Sequence, residues 1–191
     1  MGSRFEYRIF DEDLFSKKKY LQEYFIRLNE EESSQEYLLS KKIHKYNIKI
    51  RDKKLDVKKL HLVANQFEQW DLLYKKEFPI LTDEINTLFS EKLLETNQYI
   101  SEFDLKNILK QESSIKLLRV DKKRVQFKKD NILGEFSVVE FDNKTFHIVA
   151  LESEDLEGLK KSTRELGLEA FQNINYYKFL QDKKILNINY L

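Results

Sequence analysis

Cysteine is absent from all 191 residues, so disulfides, thiolate zinc sites and cysteine nucleophiles are excluded together. Glycine and proline are scarce. Four Gly and one Pro leave no flexible linker and no repeat, and a single domain over residues 1–191 is expected. No glycine-rich phosphate loop exists, which removes P-loop and Rossmann mechanisms. No run approaches the roughly 20 apolar residues that cross a bilayer, and Met1-Gly2-Ser3-Arg4 contains no apolar signal core. A cytoplasmic chain without membrane contact is therefore expected. His44, His61 and His147 lie far apart with no ligand-spaced partner, so surface or core histidines are expected rather than a zinc site.

What the chain has in quantity is charge. Lys and Arg number 34 and Asp and Glu 33, for a net charge of +1, so bulk electrostatics favour neither nucleic acid nor an anionic membrane. Any recognition of anions has to be local. The short basic runs Lys17-Lys18-Lys19 and Lys122-Lys123-Arg124 leave generic nucleic-acid binding as a minor reading.

Period-2 alternation over residues 4–10, with Phe5, Tyr7 and Ile9 against Glu6 and Arg8, predicts a first strand. An amphipathic helix is predicted over 13–28, followed by a polar loop over 29–35. Strands are expected at 36–40, 46–51 and 55–60, with the last two joined by the turn Asp52-Lys53-Lys54. Thr82 opens a predicted helix that runs to Leu94. A further helix begins at Ser101-Glu102-Phe103-Asp104, whose ends have capping-box spacing with the acid shortened to Asp.

The second half reads as strands at 115–127, 134–142 and 145–154, with Asp142-Asn143-Lys144 as a hairpin turn. A helix over 155–166 is stopped by Gly167. A last strand is expected over 174–180, followed by an apolar tail at 185–191. Trp70 is expected to be a buried anchor at the barrel edge, whereas Tyr176 could close the core or touch a ligand. The sum is an α+β domain.

Neighbouring strand residues point to opposite faces, so Lys49 and Arg51 share one face while Ile48 and Ile50 share the other. The same rule groups Glu6 with Arg8, Asp56 with Lys58, Lys122 with Arg124, and Glu152 with Glu154. Two arrangements satisfy this pattern. The charged faces could be the wet side of an ordinary antiparallel sheet. Alternatively, the amphipathic helices cover the outside of a curled sheet and the charges converge inside it, which would call for an ionic ligand.

Arg4-Phe5-Glu6-Tyr7-Arg8 resembles the E-x-E-x-K strand of the CYTH triphosphate-tunnel metalloenzymes, with Arg4 in the place of the first Glu. The basic hairpin of Lys49, Arg51 and Lys58, the Lys122 and Arg124 strand, and Glu135 with Glu140 on the next are similar in order. The best match is C-terminal: residues 148–155 with Glu152 and Glu154, then a helix, then Asn173-Ile174-Asn175-Tyr176. The resemblance implies an antiparallel β-barrel of about eight strands with helices packed outside. It implies a divalent-metal-dependent phosphohydrolase acting on an inorganic or nucleoside triphosphate.

By the same resemblance, Arg8, Lys49, Arg51, Lys58, Lys122 and Arg124 hold phosphate. Glu6, Glu152 and Glu154 are catalytic and, with Glu135 or Glu140 assisting, bind Mg²⁺ or Mn²⁺. The partner would be a triphosphate-containing small molecule or polyphosphate; a homodimer stays open. Arg4 changes the local charge by two units and keeps two alternatives in view. One is a non-catalytic module for nucleotides, polyphosphate or an RNA 5′ end, and the other a class IV-type adenylate cyclase.

Overall fold

The computed structural model describes residues 3–89 and 93–182. Its strands are β1 (Arg4–Asp11), β2 (Ile26–Leu39), β3 (Tyr46–Arg51), β4 (Lys54–Ala64), β5 (Phe67–Glu77), β6 (Ile80–Leu81), β7 (Tyr99–Ile100), β8 (Lys116–Lys129), β9 (Ile132–Phe141) and β10 (Lys144–Ser153). The α-helices are α1 (Phe15–Tyr24), α2 (Thr82–Phe89), α3 (Glu102–Gln111), α4 (Leu156–Glu165) and α5 (Tyr176–Asp182). Eight strands close into an antiparallel barrel in the order β1-β10-β9-β8-β2-β3-β4-β5, with β5 pairing back onto β1; β6 and β7 form a separate pair.

The expected hairpin turns carry the backbone that two-residue turns need. Asp52 and Lys53, and likewise Asp142 and Asn143, all have positive φ. Gly167 follows α4 at φ 62°, the left-handed conformation that ends a helix. Ser101 caps α3, its Oγ accepting from the Asp104 amide at 3.1 Å while donating to the Asp104 carboxylate at 2.6 Å.

Two apolar layers lie on the outside of the barrel. α1 and α4 bring Leu21 and Leu159 onto the outward residues Tyr7, Ile9, Val149 and Leu151. α2 and α3 bring Ile85, Leu88, Leu105 and Leu109 onto Ile48, Ile50, Leu55 and Val57. With the grease of these strands committed outward, the opposite side chains of the same strands face one another across the bore. That is the closed arrangement, and the open wet-faced sheet is ruled out.

Four sequence expectations are corrected. The polar stretch 29–35 is not a loop but the middle of β2, which pairs with β8 from Ile26↔Lys128 to Leu39↔Lys116. Its two faces meet a charged bore and solvent, so neither is apolar and the usual alternation is missing. The first helix accordingly spans only Phe15–Tyr24; α2 is described over Thr82–Phe89, residues 90–92 lie outside the described residues, and Leu93 and Leu94 are not helical. The expected strand at 174–180 is helical from Tyr176, since Tyr176, Tyr177, Phe179 and Leu180 follow a 3.6-residue period that outweighs their β propensity. The tail at 185–191 lies outside the described residues.

α5 has a distinct role in shaping the bore. The β1–β5 pairing stops at Glu6↔Glu68, and the chain at 173–174 takes over the open edge. Asn173 Oδ1 accepts from the Arg8 amide at 2.7 Å, its Nδ2 donates to the Glu6 carbonyl at 3.3 Å, and the Ile174 amide donates to the Arg8 carbonyl at 2.9 Å. α5 then packs on the inward residues Tyr37, Leu118, Val139, Phe146 and Ile148, with Phe179 stacked on Phe10 at 3.9 Å. One end of the bore is thereby an apolar floor.

Candidate anion-binding tunnel

Above that floor the inward rows are ionic. Each strand contributes alternate residues: Glu6 and Arg8 from β1, Glu31 from β2, Lys49 and Arg51 from β3, Asp56 and Lys58 from β4, Glu68 from β5, Lys122 and Arg124 from β8, Glu135 and Ser137 from β9, and Glu152 from β10. Strand parity puts them there, because on β1, β3, β4, β9 and β10 the intervening residues belong to the outer apolar layers, and on β2 and β8 Glu30, Glu32, Asp121 and Lys123 face solvent.

Acid and base alternate in space as well as in sequence. Lys122 Nζ stands 2.6 Å from Glu135, whose second oxygen faces Arg124 at 3.6 Å, and Ser137 Oγ donates to Glu135 at 2.7 Å. Glu31 is gripped by Arg124 and, at 3.5 Å, by Arg51. Lys49 lies 3.9 Å from Asp56. Lys58 reaches Glu6 at 2.6 Å and Arg8 reaches it at 3.2 Å. Arg8 also faces Glu152 at 3.9 Å, and Arg4 faces it at 3.8 Å. Tyr176 is the floor tile beneath them, its ring 5.0 Å from the Arg8 guanidinium and 5.7 Å from Lys122 Nζ.

The field inside the bore separates the proton affinities of neighbouring carboxylates. Glu6 and Glu152 are cross-strand partners. Burial alone would raise Glu6, but Lys58 and Arg8 outweigh it and hold the carboxyl below its usual value. Glu152 goes the other way, lifted by burial and by the charge of Glu6. Glu135 sits far below the usual carboxylate range: burial opposes this, and Lys122, Arg8 and Arg124 prevail. Burial pushes Lys49 down to about 7, with Arg51, Lys122 and Lys58 adding to it against the pull of Asp56.

Lys49 yields a pH prediction. Unfolded, its amine holds a proton up to about 10.5. Between pH 7 and that value the native state binds fewer protons than the unfolded chain, so this residue makes stability rise with pH across that window. Urea midpoints at pH 7 and pH 9 should therefore diverge less in Lys49→Met than in the wild type. An unchanged difference would show that the ammonium is not destabilised by its surroundings.

Of the residues expected at the site, Glu6, Arg8, Lys49, Arg51, Lys58, Lys122, Arg124, Glu135 and Glu152 converge on the bore. Glu140 points outward from β9 and is exposed, and Glu154 is exposed beyond the end of β10. Glu154 joins Arg4, Lys128 and Glu152 in lining an open cavity of about 520 Å³. Sequence reasoning missed Glu31, because the stretch around it read as loop, and Glu68, whose position two residues before Trp70 carried the needed parity. Glu68 is buried and tied to Trp70 Nε1 at 3.3 Å, Asn175 Nδ2 at 2.9 Å and Lys178 Nζ at 3.1 Å. It anchors the α5 segment to the barrel wall.

A divalent ion needs several free oxygen ligands in one place. Among the described residues no three His, Asp or Glu side chains form such a group. The inward carboxylates are spent on ammonium and guanidinium groups, so the donor set as arranged does not fit a metal ion.

No protein-family model and no curated protein matches the sequence. Solved structures do match, and they share the fold of this chain, the antiparallel barrel with helices outside that the resemblance implied. A candidate adenylyl cyclase from Hippeastrum, HpAC1, described as having a dominant triphosphatase activity, superposes with a TM-score of 0.55 at 9% identity, covering 98% of this chain and 100% of its own. PH1819 from Pyrococcus horikoshii gives 0.53 at 16% identity over 93% of this chain and 99% of its own. PH1012 from the same organism gives 0.51 at 19% identity over 92% and 98%. No helix among the described residues is long and apolar enough to cross a membrane.

Proposed function

We propose that the protein is a receptor for a triphosphate, held in the bore by Arg8, Lys49, Arg51, Lys58, Lys122 and Arg124. One observation carries this reading. The Nε donors of Arg8 and Arg124 are buried inside the barrel with no hydrogen-bond acceptor, and that of Arg51 has only the exposed Asp52 carboxylate, 3.5 Å away. A buried donor without a partner costs about 1–3 kcal/mol, and such donors on one bore favour an anion with many acceptor oxygens. A polyphosphate chain meets it, whether as inorganic triphosphate, a nucleotide or an RNA 5′ end. A cytoplasmic setting belongs to the same proposal.

The test is a thermal-shift screen with inorganic triphosphate, ATP, GTP and longer polyphosphate. Ligand at about 100 times its Kd adds about 2.7 kcal/mol. For a chain of this length that raises Tm by roughly 5–10 °C. A flat response to all four would sink the receptor reading.

Hydrolysis, with Glu6 and Glu152 in the catalytic role, is the second reading. What favours it is the Glu6–Glu152 cross-strand pair, in which Lys58 and Arg8 hold one carboxyl below its usual value while burial and the charge of Glu6 lift its neighbour above it. Phosphate or pyrophosphate release from the same four compounds, with Mg²⁺, with Mn²⁺ and with EDTA, decides it. Turnover that survives in Glu152→Ala would remove that carboxyl from the chemistry.

A further inference from the structure

The sharpest unassigned feature of the bore is the way the oxygens of the Glu6–Glu152 pair are spent. Residues 4, 6 and 8 of β1 share the inward face, and Glu6 lies directly across from Glu152 on β10. Glu6 Oε1 faces Lys58 Nζ at 2.6 Å and its Oε2 faces Arg8 at 3.2 Å. Glu152 Oε1 faces Arg8 at 3.9 Å and its Oε2 faces Arg4 at 3.8 Å. All four oxygens of the pair therefore face a cation, those of Glu6 at hydrogen-bond distance and those of Glu152 at the outer range of an ion pair. Arg4 and Arg8 bracket the two carboxylates along the strand, and Arg8 Nε remains without an acceptor.

We propose that Arg4 and Arg8 supply the positive charge at this carboxylate pair in place of a divalent ion, so that the bore takes a polyphosphate without metal. A hard dication entering here would have to strip a guanidinium or ammonium from each oxygen while lying among those same cations. A phosphate chain faces no such conflict. Guanidinium forks offer it paired donors, and Arg4 at the open cavity is placed to meet the end of the chain that enters last. Arg4 is thus an anion-binding residue that also keeps metal out. The inference rests on the receptor reading for its anion half only.

Two measurements test it. In electron paramagnetic resonance, Mn²⁺ alone titrated with wild-type protein is expected to keep its free-ion signal; loss of that signal overturns the proposal, with no polyphosphate involved. In calorimetry, inorganic tripolyphosphate is expected to bind in EDTA at least as tightly as in Mn²⁺. Binding that appears only with the metal overturns the proposal while sparing the receptor reading. No binding in either solution removes the receptor reading and with it the anion half.

Arg4→Glu sets a third carboxylate beside Glu6 and Glu152, and should weaken binding in EDTA by tenfold or more. It should also begin to deplete the Mn²⁺ signal. Arg4→Gln, which adds no carboxylate should the first variant fold poorly, is expected to weaken binding in EDTA and leave the Mn²⁺ signal free. Unchanged tripolyphosphate affinity in a folded Arg4→Gln protein would also overturn the role given to Arg4.

Discussion

Glu135→Gln is expected to lose about 3–5 kcal/mol of unfolding free energy, with much of that loss recovered in saturating tripolyphosphate. The carboxylate is 8% exposed and sits between Lys122 at 2.6 Å and Arg124 at 3.6 Å. Neutralising it strands the buried Lys122 and leaves Arg124 with Glu31 alone, and a missing counter-charge in low dielectric costs more than the pair gains by being formed. The amide keeps the volume, so a cavity contributes little. An anion in the bore restores acceptors to the same cations, so the ligand should stabilise the variant more than the wild type.

The acid limb gives a check on the same residue. Because the native carboxyl is held far below its unfolded value, its contribution is complete above the ordinary carboxylate range and is lost as pH falls through and below that range. Glu135→Gln should therefore flatten the fall in stability below pH 4.5, the usual value of the group. Urea denaturation with and without tripolyphosphate reads both effects. A loss under about 1 kcal/mol, typical of a solvated pair, would mean the bore is wet enough to screen its charges.

The sequence made the wall of the barrel legible wherever one strand face was apolar. Ile48, Ile50, Val149 and Leu151 declared their faces by alternation, and with them the inward sides of β3, β4 and β10. The same logic failed along β2, since Glu30 to Ser34 are polar on both faces and period-2 alternation of grease and charge was never there to read. It failed again at α5. A short aromatic segment reads as a strand until tertiary context offers it an apolar floor, and that floor is built from β1, β2, β8, β9 and β10. The site followed the same division. Residues placed by parity, such as Lys49 and Lys122, could be named, whereas Glu31 needed β2 to be known as a strand. That Glu152 would face Arg4 and Arg8 as well as Glu6 depends on the register of β1 against β10, which sequence spacing does not encode.

Arg8 is where the ionic rows meet the floor, and its replacement should have the largest effect on ligand affinity. It is 7% exposed, touches Glu6 and Glu152, and lies over the Tyr176 ring. Its guanidinium is held protonated beyond its usual range: burial opposes this, and Glu6 and Glu135 outweigh burial. Arg8→Met retains an unbranched chain while removing the charge and every donor. Truncating one partner of a buried, hydrogen-bonded charge pair costs about 2–5 kcal/mol, so tripolyphosphate affinity should fall roughly 30- to several thousand-fold.

Arg8→Lys separates charge from geometry. It restores the positive charge but not the planar fork, and should recover only part of the affinity if two phosphoryl oxygens are engaged at once. Titration calorimetry on the three proteins, with Lys161→Met as an exposed control on α4, reads the series directly. Equal affinity in Arg8→Met and the wild type would mean that the phosphate chain never reaches the floor. The anion would then have to lodge higher in the bore, between Arg51 and Arg124, where Glu31 now sits.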